Sequence, residues 1–189
     1  MQLTGKKQLL LFLYAPEENN KFNCPIAGRT RLMKMSFLFS KEVLPDFEKD
    51  RTFEKVIPYE FHAWKYGPFS KSLLNDLEFL INQQYIIRGI SNKSPLPAEL
   101  AEFEYWIEDM DEYLSREYDE EVFELSNDKG IPKAREVWKE LSSHQIKFIV
   151  DFKRIMNRVP LDKILEYVYK KYQKHGYIDN SVIREKYLS

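Results

Sequence analysis

The hydrophobic period of this chain changes at Tyr66-Gly67-Pro68. Before that point Tyr59 to Lys65 alternates and is rich in aromatics, the pattern of a strand. After it Leu73, Leu74, Leu77, Leu80 and Ile81 recur at helical spacing, which predicts a helix over about 68–83. Glycine and proline suit the interior of neither element. The corner therefore reads as a strand-to-helix turn, with Pro68 at the first helical position, where its missing N–H costs nothing.

Other segments arrange themselves around this corner. Residues 4–14 read as a helix with Thr4 as N-cap, and the apolar run Leu9 to Ala15 makes it a buried one. Lys6 and Lys7 precede that run, but no small-x-small cleavage site follows, and no stretch reaches the ~20 apolar residues of a membrane span. A cytoplasmic chain is expected. Residues 15–27, with Pro16, Asn19-Asn20 and Pro25, read as a loop. Gly28 to Ser40 is a second helix, apolar around most of its circumference and so central. Residues 43–55 are charged and irregular. Tyr85–Arg88, Phe103–Ile107 and Val122–Ser126 are short β-like runs, with a Pro95/Pro97 loop over 91–101 and a turn at Asn127–Gly130. Helical patterns over 132–141, 144–157 and 160–173 close the chain.

Helix, helix, strand, helix, strand, loop, strand is the order of a winged helix. Its wing would pair 85–90 with 103–108 or with 122–126. The expected fold is α+β, mainly α: a winged-helix-like core with a small antiparallel sheet over about 1–128, and a C-terminal helical extension over about 129–189 packed on it, in one domain.

Charge is segregated behind a near-neutral total of 29 basic and 30 acidic side chains. Residues 1–55 carry net +3, residues 56–128 net −11 and residues 129–189 net +7. Between Glu99 and Glu121 there are 11 acids and one base, Arg116. That segment would repel DNA beside a groove-binding helix, and could meet the chain's own basic helices or a basic partner. The third helix is a poor reader of a polyanion: Lys71 stands against Asp76 and Glu78. The better basic candidates are Arg29, Arg31 and Lys34 in the first turns of the second helix, where positive charge opposes the helix dipole. They read either as a solvated basic face or, with Lys71, as a DNA contact.

Candidate chemistry is sparse. Glu108-Asp109-Met110-Asp111-Glu112 lacks the glycine-turned loop of a calcium site, and His62, His144 and His175 lack metal-ligand spacing. A nuclease-type set would need Asp46 with Asp151 and Lys153, about 100 residues apart. Cys24, the single cysteine, has no base beside it in sequence. No catalytic residue, metal or cofactor is assigned. The Tyr66-Gly67-Pro68 corner reads first as structure. Read as a site, Trp64, Tyr66, Gly67 and Pro68 form an exposed aromatic corner that anchors a partner.

Four motifs in order resemble a known family. Gly28-Arg29-Thr30-Arg31-Leu32-Met33-Lys34 resembles the "GRTKLQK" opening of YwgA-like proteins. Trp64-Lys65-Tyr66-Gly67-Pro68-Phe69-Ser70 resembles the "W-x-Y-G-P-(Y/F)-S" signature they share with the Panacea/SocA-like antitoxin domain. Phe123 to Gly130 is similar to their "F-x-L-T-x-x-G" strand and turn, with Ser126 for threonine. Tyr167 to Tyr172 is similar to their "YVYxKYP" helix end, with Gln173 for proline. The resemblance runs from about residue 28 to 181. It implies a prokaryotic, winged-helix-related, non-enzymatic protein that regulates or neutralises another protein by binding it. A winged-helix DNA-binding regulator is the alternative. Homodimerisation is compatible with either.

Overall fold

The computed structural model describes residues 2–17, 20–91 and 120–188. The fold is mainly helical with small sheets. Strand β1 (Gln2–Leu3) leads into α1 (Gly5–Tyr14), whose residues from Gln8 onward are all buried. Thr4 holds the N-cap position in extended backbone, but its side chain makes no capping bond. A second strand, β2 (Ile26–Ala27), falls in the stretch expected to be loop. Helix α2 (Arg29–Leu38) is buried at nine of its ten residues, as its all-round apolar pattern requires.

Residues 43–55 depart from expectation. The chain stays helical past α2, through a π-helical turn (Phe39–Val43), α3 (Leu44–Phe47) and a 3-10 turn (Glu48–Asp50). Pro45 is tolerated because it sits in the first turn of α3, and Arg51 ends the rod in the left-handed region at φ 49°. The charge in this stretch is the solvent face of a rod that buries Phe39, Leu44 and Phe47. Strand β3 (Lys55–Val56) then pairs in parallel with β1.

The central corner also differs from its sequence reading. Strand β4 (His62–Trp64) is shorter than the alternating run, and Pro68 lies in β5 (Gly67–Phe69), paired opposite Ala63, rather than in a helix. Proline is accommodated because the hairpin has only two strands, so no further ladder needs its N–H. Helix α4 (Lys71–Asn82) starts three residues later, capped by Ser70 Oγ, which accepts the Leu73 N–H at 3.4 Å. Gly67 is required: its φ is +85°, and a Cβ there would press on the Tyr169 ring at 3.2 Å.

Strands β6 (Ile86–Ser91) and β7 (Glu120–Leu125) form the antiparallel hairpin, so the 122–126 run is the partner of 85–90. The Phe103–Ile107 run and nearly all of the Glu99–Glu121 segment lie outside the described residues, as does the 91–101 loop beyond Ser91. The sheet order is β2-β7-β6. Beyond β2 the edge of β7 is continued by one side chain: Asn23 accepts the Leu125 N–H at 2.9 Å and donates to its carbonyl at 3.2 Å. Asn23 has φ 56°, a conformation asparagine reaches more readily than most residues.

Helices α5 (Gly130–Lys139), α6 (Ser143–Arg158) and α7 (Leu161–Tyr172) match the three closing patterns, and a short α8 (Arg184–Leu188) follows. Ser142 and Gln145 make a reciprocal capping box at the start of α6. These helices dock on the core: α5 on α1, α7 on α2, and Val182 N–H on the Lys65 carbonyl at 2.8 Å.

Gly130 tests this packing. It opens α5, and a Cβ there would stand 2.0 Å from the Tyr85 carbonyl oxygen and 3.0 Å from Leu125 Cβ. In an open helix Gly→Ala stabilises by up to ~1 kcal/mol. Here Gly130→Ala is expected to destabilise by about 2 kcal/mol or more, read from a urea unfolding midpoint, because backbone must move.

Candidate functional site

Of the three cations expected on a surface face, Arg29 and Lys34 are inside and Arg31 is half-buried. Lys34 is fully buried and donates to the carbonyls of Tyr66 at 2.7 Å and Pro68 at 2.9 Å. Arg29 is 2% exposed and ion-paired to Glu121 and, at 2.9 Å, to Glu78. Arg31 donates to the carbonyls of Met156 and, at 2.8 Å, Val159 at the end of α6. The solvated basic face on α2 is thus corrected: each of these cations meets an internal acceptor. Their placement at the N-terminal end of α2 follows from that, since carboxylates and carbonyls of neighbouring elements outweigh the few tenths of a kcal/mol lost to the dipole. Of the four bases considered for DNA, only Lys71 is exposed.

The aromatic corner divides the same way. Tyr66, Gly67 and Pro68 are buried, held by Lys34 from below and by Tyr169 against Gly67. Trp64 alone of the four reaches solvent, 41% exposed and stacked on Phe69 at 5.5 Å. The exposed His62 packs its ring on Phe69. The nuclease-type set is not brought together: Asp46 pairs with Lys49 on the exposed side of the α3 rod, whereas Lys153 is enclosed. Among the described residues no group of three or more His, Cys, Asp or Glu is placed to hold a metal ion. Cys24 is buried, its thiol 3.3 Å from the Lys21 carbonyl. None of the described helices is long and apolar enough to cross a membrane.

Lys153 repeats the arrangement of Lys34. Its amine donates to the carbonyls of Leu13, Ala15 and Cys24 at 2.8–3.0 Å, which closes the C-terminal end of α1 onto α6. Burial pushes the Lys34 amine down to about 7. It pushes Lys153 down less, to about 8, with Glu17 and Cys24 opposing the shift. Three acceptors around Lys153 engage all three N–H bonds of an ammonium and also favour the charged form.

An open apolar feature lies between α6 and α7. From the Val159-Pro160 junction the two helices bound a groove of about 590 Å³, closed below by the end of α2 and the π-helical turn. Leu38, Met156 and Ile164 are buried at its base, and Ile155 (58% exposed) and Tyr167 (43%) stand at its mouth. Phe148, Phe152 and Val159 complete the α6 wall. Its polar lining is Glu42, Asp151, Lys163 and the Tyr167 phenol. Glu42 is engaged: Tyr167 and Tyr172 donate their phenols to it at 3.0 and 2.9 Å, and Lys171 lies 3.1 Å away. π-Helical turns recur at functional positions, and this one presents Glu42 and Val43 to the groove.

Sequence reading did not single out this groove. Its signal was present in α6, which carries Ile149 and Met156 on a buried face and Phe148, Phe152 and Ile155 on a second one. A helix with more apolar circumference than one contact needs either has a second neighbour or leaves a face open.

Two outcomes test this electrostatic frame. Glu121→Gln removes a carboxylate charge from the buried Arg29 and is expected to cost about 1–3 kcal/mol, measured by urea unfolding. The two lysines set a pH dependence. Their folded pKa values lie below the unfolded one, so between about 7 and 10 the unfolded chain binds more protons and stability rises with pH. The gain is lost as pH falls through the folded values. Thermal melts from pH 6 to 10 should show this rise, and Lys34→Met with Lys153→Met should flatten it. No family model, curated protein or solved structure matches this chain.

Proposed function

We propose that this chain is a non-enzymatic, prokaryotic, YwgA-like regulatory protein, antitoxin-like in mode, that acts by stoichiometric binding of another protein through the α6–α7 groove. The observation that carries the reading is the groove: an open apolar cleft with Ile155 and Tyr167 at its mouth. Exposed apolar patches rimmed by polar groups mark interaction sites. The YwgA-like motifs agree with it, because three of them are used in packing: Lys34 of the first holds Tyr66 and Pro68 of the second, and Tyr169 of the fourth packs on Gly67.

A winged-helix-like core is part of the same reading. The sheet order β2-β7-β6, with the strand after α1 pairing with the last strand of the hairpin, supports that reading. A DNA-contacting use of that core has little support. Asp76 and Glu78 of α4 are paired with Lys6 and Arg29, and residues 92–119, between the hairpin strands, carry nine acids and two bases.

Tagged wild-type chain and Ile155→Asp, each expressed in cells of the source organism, separate the possibilities. Ile155 is exposed, so the variant should melt within about 0.5 kcal/mol of wild type. A partner held at one-to-one stoichiometry by wild type and lost from Ile155→Asp is the expected result. Equal capture by both, or none by either across growth phases, refutes binding through the groove. A mobility shift of DNA at low salt by both proteins would favour the DNA-binding regulator instead.

A further inference from the structure

We infer that the groove receives an amphipathic α-helix of the partner, seated antiparallel to α6, with an acidic residue near its N-terminal end beside Lys163 and a basic residue near its C-terminal end beside Asp151. The inference rests on the protein-binding reading above and specifies what enters the groove. The first argument is backbone satisfaction. The α6 wall presents Phe148, Phe152, Ile155, Met156 and Val159, and the lining side chains that could partner an incoming main chain are few: Glu42, Asp151, Lys163 and the Tyr167 phenol. An extended segment would bring N–H and C=O groups against that wall with few acceptors or donors to replace water. A helix satisfies its own backbone and offers only side chains.

Length agrees. The lining residues of α6 recur from Phe148 to Val159 on one face, so the wall runs about 16 Å, or three turns. A helix lying along it presents apolar residues at i, i+3, i+4 and i+7. Polarity follows from charge. Lys163 stands just past the Val159-Pro160 junction, and Asp151 stands two turns back along α6. Lys163 shares Glu166 at 2.7 Å and Asp151 has Lys147 at 3.9 Å; all are solvated enough that these pairs are weak competitors. A helix favours acids in its first turn and bases in its last. The polarity that satisfies Lys163, Asp151 and the occupant's own dipole together runs opposite to α6.

Stapled synthetic helices of about three turns test this with equal helicity. One carries a Leu stripe with Glu at the N-terminal end and Lys at the C-terminal end; a second has these charges exchanged; a third is unstapled and interrupted by proline. Fluorescence anisotropy against the full chain should rank the first at least about fivefold tighter than the second, the proline peptide weakest. Asp151→Lys with Lys163→Glu should invert the preference, and Ile155→Asp should weaken both stapled helices. Equal binding of the two charge patterns overturns the assigned polarity. Binding of the proline peptide as tightly as the first overturns the helix. If no peptide binds while a captured partner remains sensitive to Ile155→Asp, the protein-binding reading stands and the helical occupant fails. If the first peptide binds as ranked and cells yield no partner, the helix-receiving groove stands and the proposed function fails.

Discussion

A buried lysine amine organises the centre of this molecule. Lys34, fully enclosed in α2, bonds to the carbonyls of Tyr66 and Pro68 and so fixes the β4–β5 corner against the central helix. Those carbonyls flank a glycine at positive φ and a proline, and the short hairpin gives them few partners of its own. Without the lysine both carbonyls would lose a buried donor. The corner in turn sets where α4 begins, through Ser70, whose N–H reaches Met33 Sδ at 3.3 Å. It also seats Tyr169 of α7, so the C-terminal helices depend on the same contact. Lys153 does the equivalent at the other end, tying α6 to the end of α1 and to Cys24.

Charge in this chain is accordingly a packing device before it is a surface property. Arg29 with Glu78 and Glu121, extended by Arg88, joins the start of α2 to α4 and to the hairpin. Glu121 is the one member of the acidic 99–121 stretch whose side chain is described, and it faces two of the chain's own cations, the buried Arg29 and the exposed Arg88. Such pairs are poor evidence of net stability, since desolvation offsets much of the attraction. What they impose is geometry: each cation has one set of acceptors, and a shifted helix would leave it alone in a low-dielectric interior.

Against that frame the α6–α7 groove stands out because its apolar walls are incompletely covered. Elsewhere the aromatic rings meet one another, as Phe12, Phe39, Phe47 and Phe152 do in a chain of edge contacts. At the groove Phe152 turns from that cluster toward Ile155 and Tyr167, which are open to solvent. The same helix therefore belongs to the core on one side and lines an open groove on the other.

The amino-acid sequence by itself determined α1, α2 and α4 to α7, the 85–90 and 122–126 hairpin strands, and the centrality of α1 and α2, because each is a local period of apolar residues that any packing must respect. It misplaced Pro68 and the 43–55 stretch, where the choice between turn, strand and helix was made by distant partners: Ala63 across the hairpin, and the burial of Phe39, Leu44 and Phe47. It could not place Arg29, Arg31 and Lys34, since a cation four residues from an apolar one looks the same whether its amine meets water or a carbonyl 32 residues away. The groove was hidden for a related reason. An apolar face on α6 is written in the sequence, but whether a neighbour covers it depends on the direction α7 takes after Pro160, and that is decided by the packing of α7 on α2.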